Sequence, residues 1–216
     1  FFRQPLRRYP FLSAKVGPIP VFLTAIIMAT VGLAAGLPLV LLLRKYPDVN
    51  VETLCNVDVA ENGWRYIVIH HSATLDGSAG IFDGYHRNNR GWENGLGYHF
   101  VIGNGTQSRD GEIEVGKRWK LQLHGAHAGD TYFNRTGIGI CLVGNFEEDE
   151  EPTKRQLESL EKVIRYLSKR YDIPLSRIIL HKEVKENHTA CPGKNFPNNE
   201  LRRRLRDLAS KDDVSA

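Results

Sequence analysis

RYIVIH, residues 65–70, is a short run of β-branched and other apolar side chains that suits a strand buried in a sheet, and it ends on a histidine that His71 immediately repeats. Outward from it the pattern alternates. Residues 78–89 can form a helix before a turn at Gly91, and YHFVI (98–102) and residues 112–115 are further strand candidates, separated by the polar, glycine-rich GNGTQSRDG. IGICLV (138–143) reads as a second deeply buried strand, closed by Gly144. Thr153 and Gln156, three residues apart, form a capping box, after which Leu157, Leu160, Ile164, Leu167 and Tyr171 fall on one helical face. A short strand at 177–180 leads into a loop rich in His, Cys and Gly, and Asn198 can cap a last helix through residue 209. The alternation predicts an α/β domain, a central mixed β-sheet flanked by helices, with functional residues at strand ends.

Over 216 residues, 41% hydrophobic and 25% charged composition excludes a disordered or collagen-like chain. The net charge of +4 suggests a nucleic-acid partner only until it is divided. Residues 1–50 carry six Lys or Arg and one acid, and the remaining 23 basic and 24 acidic residues leave −1, so no nucleic acid is expected as a partner. The basic N-terminal segment, residues 1–20, precedes an apolar run at 21–43, VFLTAIIMATVGLAAGLPLVLLL, long enough for one transmembrane helix and longer than the apolar core of a cleavable signal. Arg3, Arg7, Arg8 and Lys15 before it, against Arg44 and Lys45 after it, favour a cytoplasmic N-terminus. The expected organisation is an anchor at 21–43, a polar linker at 44–63, a domain at 64–209 and a tail at 210–216. It places the chain in the inner membrane by a single pass, with the domain in the periplasm. Secretion after cleavage near Ala34, Ala35 and Gly36 is the alternative, and a buried core helix is a weaker one, since soluble helices rarely run so long without a polar face.

Three side chains point to chemistry: His70 at a strand end, then His181 and Cys191, which flank a loop that also holds His188. Two imidazoles and one thiolate are the ligand count of a catalytic zinc with one position open. Each has a plainer alternative. Any one histidine is more often a surface or core residue, and Cys191 can be a small buried hydrophobe or a disulfide partner. Cys141, in an apolar strand, reads as core, and Cys55, in the linker, as a free or intermolecular thiol. The acidic run EEDEE at 147–151 reads as a solvated loop.

Together IVIHHSA (67–73), GLGYHFVIGNG (95–105), DGEIEVGKRW (110–119), GAHAGD (125–130), NRTGIGICLVGNF (134–146) and HKEVKENHTACPGKNFP (181–197) resemble, in order, the zinc N-acetylmuramoyl-L-alanine amidase family. That family is shared by phage lysozyme-type amidases and peptidoglycan recognition proteins. The resemblance covers residues 64–208 and implies a mixed sheet with flanking helices, one Zn²⁺ in a surface groove, and cleavage of the amide between the lactyl group of N-acetylmuramic acid and L-alanine. It implies His70, His181 and Cys191 as metal ligands, with His71 at a variable neighbouring place. Tyr98 resembles the tyrosine that contacts the attacked carbonyl or its water. Thr189 stands where phage enzymes carry lysine and recognition proteins commonly threonine, so the helper at that place departs from the phage pattern. His127 and, more weakly, Asn134 and His71 are expected substrate contacts. Peptidoglycan or muropeptides would be the partner. The alternative is a recognition module that binds the glycopeptide without cleaving it, and the presence of Cys191 and Tyr98 argues for the enzyme.

Overall fold

The computed structural model describes residues 50–185 and 188–214, with side chains from 208 onward excepted. The basic segment 1–20 and the expected anchor at 21–43 lie outside the described residues, and among those described no helix is long and apolar enough to cross a membrane.

Five strands build one mixed sheet: β1 (Tyr66–His71), β2 (Phe100–Ile102), β3 (Ile113–Val115), β4 (Gly137–Leu142) and β5 (Ile178–Leu180). Their spatial order is β3-β2-β4-β1-β5. β1 runs parallel to β4 and β5, β4 runs parallel to β2, and β3 closes one edge antiparallel to β2. β1 and β4 are therefore paired on both sides, which is why both read as unbroken apolar runs. Among the described residues six α-helices accompany the sheet: α1 (Val51–Cys55), α2 (Ala79–Arg90), α3 (Lys117–Lys120), α4 (Thr131–Thr136), α5 (Lys154–Tyr171) and α6 (Asn198–Val214).

The period of two along each strand sorts the core into two faces. Ile67, Ile69, Ile138, Ile140, Leu142, Phe100 and Ile102 point to one, where Leu160, Val163, Ile164 and Leu167 of α5 cover them. On the other, Val101, Cys141 and Val143 meet Leu96, with Ala79 and Phe82 of α2 and Tyr98 packed against them. This second layer is thinner, and it is the one that opens onto the site.

The capping box at Thr153 is present, and its glutamine does more than cap. Gln156 is fully buried; its Oε1 accepts from the Thr153 amide, while Nε2 donates to the carbonyls of Ile102 (3.0 Å) and Val143 (2.8 Å) where β2 and β4 end.

Two boundaries differ from expectation. Residues 50–63 are not a free linker. Asn50 caps α1, Cys55 is fully buried with its carbonyl accepting the Trp119 indole N–H, Asn62 bonds Gln122, and Glu61 pairs with Arg170 and Tyr171. Val51, Leu54 and Cys55 share a helical face, and its burial outweighs the polar composition of the segment. Cys55 is a free cysteine, the first of its two sequence readings, and its burial, which pushes the thiol up to about 12, speaks against the intermolecular one. At the other end, α6 continues to Val214 rather than giving way to a tail at 210.

Replacing Gln156 with leucine leaves the Val143 carbonyl without its donor, whereas the Ile102 carbonyl keeps the Val143 amide at 3.0 Å. At about 1–3 kcal/mol for the unsatisfied buried carbonyl, with the capping-box bond to the Thr153 amide lost besides, the variant is expected to lose about 2 kcal/mol or more of stability, more than the ~1 kcal/mol of a lost cap in Thr153→Ala. Urea midpoints of the two variants check the order; equal midpoints would refute the strand-end role.

Candidate metal centre

The site lies at the carboxyl ends of the parallel strands, the usual place for function in an open α/β sheet. His70, next to last in β1, is turned to the thin face, in register with Cys141 of β4. His181 opens the turn that follows β5 directly. Cys191 returns to them through the loop. Its carbonyl accepts from Lys182 (2.9 Å), the His71 amide lies 3.4 Å from its sulfur, and Gly193 and Asn195 beyond it pack on and bond to Phe146. One ligand atom from each of His70, His181 and Cys191 lies within 4.8 Å of the others, with His70 Nδ1 3.8 Å from Cys191 Sγ.

These donors fit a metal ion. His181 Nε2 is buried without a hydrogen-bond partner, a costly state for a polar atom unless a ligand completes it. Burial, with His127 and His181 adding to it, holds the His70 pKa well below the ordinary histidine value, and burial lowers His181 as well. Both rings are thus neutral, with lone pairs to give. Burial pushes the Cys191 thiol up to about 12, opposed by the His71 amide and Lys182, so its ionisation waits on a cation. The structure brings His70, His181 and Cys191 together.

Tyr98 stands beside them, its ring 5.1 Å from that of His70. Burial, then the neighbouring Cys141 and Cys191, raises its pKa well above the ordinary value, which keeps the phenol protonated and a donor. Thr189 Oγ1 accepts from the Cys191 amide at 3.1 Å, which leaves its own O–H to donate.

The three expected substrate contacts turn inward instead. His71, one position along β1 from His70, points to the opposite face, where its Nδ1 accepts from the Phe146 amide at 3.1 Å and its ring lies against Phe146. His127 is buried behind His70, its Nδ1 3.0 Å from His70 Nε2 and its Nε2 3.2 Å from the Gly137 carbonyl. Asn134 Oδ1 takes the amides of His127 (2.8 Å) and Ala128 (2.9 Å) and its carbonyl takes that of Gly125, so it fixes the loop that carries His127. The residues missed were Cys141, as a packing neighbour of Tyr98, and the glycines that make room for His127. A Cβ on Gly139 would lie 2.5 Å, and one on Gly125 2.3 Å, from the His127 ring. A glycine inside the IGI strand run was the available signal.

Residues 60–194 match the family model described as N-acetylmuramoyl-L-alanine amidase, and the chain belongs to that family. Over 107 residues it is 34% identical to the endolysin of Escherichia phage T7, a stretch that is 48% of this chain and 62% of the endolysin, so less than two thirds of that relative is spanned. Among solved structures, the N-acetylmuramoyl-L-alanine amidase LysC from Clostridium intestinale is 35% identical with a TM-score of 0.57, over 67% of this chain and 87% of that one. Peptidoglycan recognition protein LE, solved in complex with tracheal cytotoxin, is 27% identical with a TM-score of 0.52, over 64% and 79%.

The buried imidazoles set a pH dependence. His70, His127 and His99 have folded pKa values below their unfolded ones, His99 at about 3, so below about pH 6.5 the unfolded chain binds more protons. Stability of the metal-free protein is expected to be level above about pH 7 and to fall as pH drops through 6, by up to about 1.4 kcal/mol per pH unit for each ring. Denaturant titrations from pH 8 to 5 measure it; a profile that stays level to pH 5 would contradict neutral burial.

Proposed function

We propose that the chain is a zinc-dependent N-acetylmuramoyl-L-alanine amidase that hydrolyses the lactyl-L-alanine amide of peptidoglycan or muropeptides. The observation that carries the reading is the grouping of one donor atom each from His70, His181 and Cys191 within 4.8 Å of one another, beside the ring of Tyr98. Family membership and the likeness to LysC support the activity, and the tracheal cytotoxin bound by the recognition-protein relative supports a glycopeptide substrate.

His70, His181 and Cys191 would hold the zinc, one charge of which the thiolate offsets. Bound there, zinc polarises a carbonyl and acidifies a water, supplying a nucleophile near neutral pH. The chain's own residues do the rest. Tyr98, kept protonated by burial, donates its O–H to the carbonyl oxygen as negative charge develops. Thr189, oriented by the Cys191 amide, offers a second hydroxyl at the same edge. Retention of both donors beside the ligand set favours hydrolysis over binding alone.

The apolar run at 21–43, with its flanking basic residues, further supports a single-pass anchor in the inner membrane and a periplasmic domain. A C-terminal reporter active only outside the cytoplasm is expected, and activity inside would overturn that topology.

Tyr98→Phe is expected to keep zinc and lose turnover by about 100-fold or more, the scale of one removed oxyanion donor. Cys191→Ala is expected to lose both. Mass spectrometry of muropeptides, reading release of stem peptide with a free L-alanine amine, together with zinc content, checks the pair. Near-normal turnover in Tyr98→Phe removes the phenol from the mechanism.

A further inference from the structure

The proton order around His70 can be read from the atoms behind it. His127 Nε2 lies 3.2 Å from the Gly137 carbonyl oxygen, and a carbonyl oxygen only accepts, so this bond requires a hydrogen on Nε2. In a neutral ring Nδ1 is then bare. The 3.0 Å bond between His127 Nδ1 and His70 Nε2 must therefore take its hydrogen from His70. That leaves His70 Nδ1 unprotonated, and Nδ1 is the atom that faces Cys191 Sγ at 3.8 Å. The reverse order would set two lone pairs against each other at Gly137 and place a hydrogen on the nitrogen turned toward the ligand group.

We propose that His127, anchored on the Gly137 carbonyl, is a positioning residue that selects the metal-binding tautomer of His70. The proposal rests on the reading of this site as a metal centre and deepens it. Such outer partners orient ligating imidazoles generally, most familiarly as carboxylates. Here the relay ends on a neutral peptide carbonyl, so it fixes the tautomer without adding negative charge to the site, and Cys191 alone offsets the cation.

The surroundings hold His127 to this task. Its ring stands edge-on to His70, with centroids 4.9 Å apart at 78°. Its backbone is pinned by Asn134, and Gly125 and Gly139 leave the space that the ring fills. His99 shows the same device without a ligand at its end. Its Nε2 bonds the Leu123 carbonyl, but its Nδ1 accepts from the Gly139 amide, so its proton order is fixed and passed to nothing that could bind a metal.

The test uses the full chain in detergent, metal-free and zinc-loaded. Long-range ¹H–¹⁵N correlation of the imidazoles is expected to show both His70 and His127 as Nε2–H tautomers before zinc is added; a Nδ1–H His70 overturns the proposal without any mutation. Zinc affinity, by competition with a chromophoric chelator, is expected to fall about 10- to 100-fold in His127→Phe, the usual cost of losing an outer partner. His127→Asn, whose Oδ1 can take the place of Nδ1, is expected to recover most of it. Wild-type affinity in His127→Phe, or equal losses in both variants, overturns the relay while Cys191-dependent binding leaves the metal centre standing. Absence of zinc binding in the wild type, or binding indifferent to Cys191→Ala, overturns the metal centre and the relay with it.

Discussion

Consecutive residues of a strand cannot share a face, and in β1 this rule is enforced from every side. The strand is hydrogen-bonded to parallel neighbours on both edges and buried on both faces, so a slip by one residue would exchange Ile67 and Ile69 for Val68 and His70 throughout the core. His70 is thereby committed to the thin layer beneath α2, and His71 to the thick one, where it takes the Phe146 amide. The rest of the site is arranged around that commitment. β5 ends beside β1 and delivers His181, while Cys191 is brought back by backbone bonds to Lys182 and by the His71 amide.

Burial then decides the chemistry of the assembled groups. It keeps the imidazoles of His70, His181, His127 and His99 neutral and the thiol of Cys191 and phenol of Tyr98 protonated. Neutral imidazoles and a latent thiolate suit a cation, and a protonated phenol suits an oxygen on which charge accumulates. The same burial is costly for the fold, since desolvated histidines stabilise nothing until a ligand arrives. The apolar layer under α5 and the Gln156 clamp supply the stability that the functional layer lacks.

Much of this was legible in the sequence. The buried strands, the capping box and the candidate ligands His70 and His181 each carry a local signature, and these survive folding because they sit at strand ends or at the start of a long helix, whereas Cys191 lies in a loop and was read from the ligand count and the resemblance. His127 and Asn134 were misplaced for a definite reason: both belong to a loop and the short helix α4, whose folding depends on contacts and not on periodicity. His71 was different, because the alternation that puts His70 into the site already excludes its neighbour. The segment 50–63 looked like a tether because its polar residues outnumber Val51, Leu54 and Cys55, yet the spacing of those three is helical and their burial prevails. Gly139 carried meaning in advance, as a glycine in the middle of a buried strand, but only the structure shows that the space belongs to an imidazole.

The central claim is that His70, His181 and Cys191 form one metal centre. X-ray absorption at the zinc edge of the full chain, purified without chelator, tests it most directly. The account predicts one zinc per chain with a single sulfur ligand near ~2.3 Å and nitrogen or oxygen ligands near ~2.0–2.1 Å, the sulfur disappearing in Cys191→Ala. A zinc shell without sulfur, or a chain that retains no zinc at all, would contradict it.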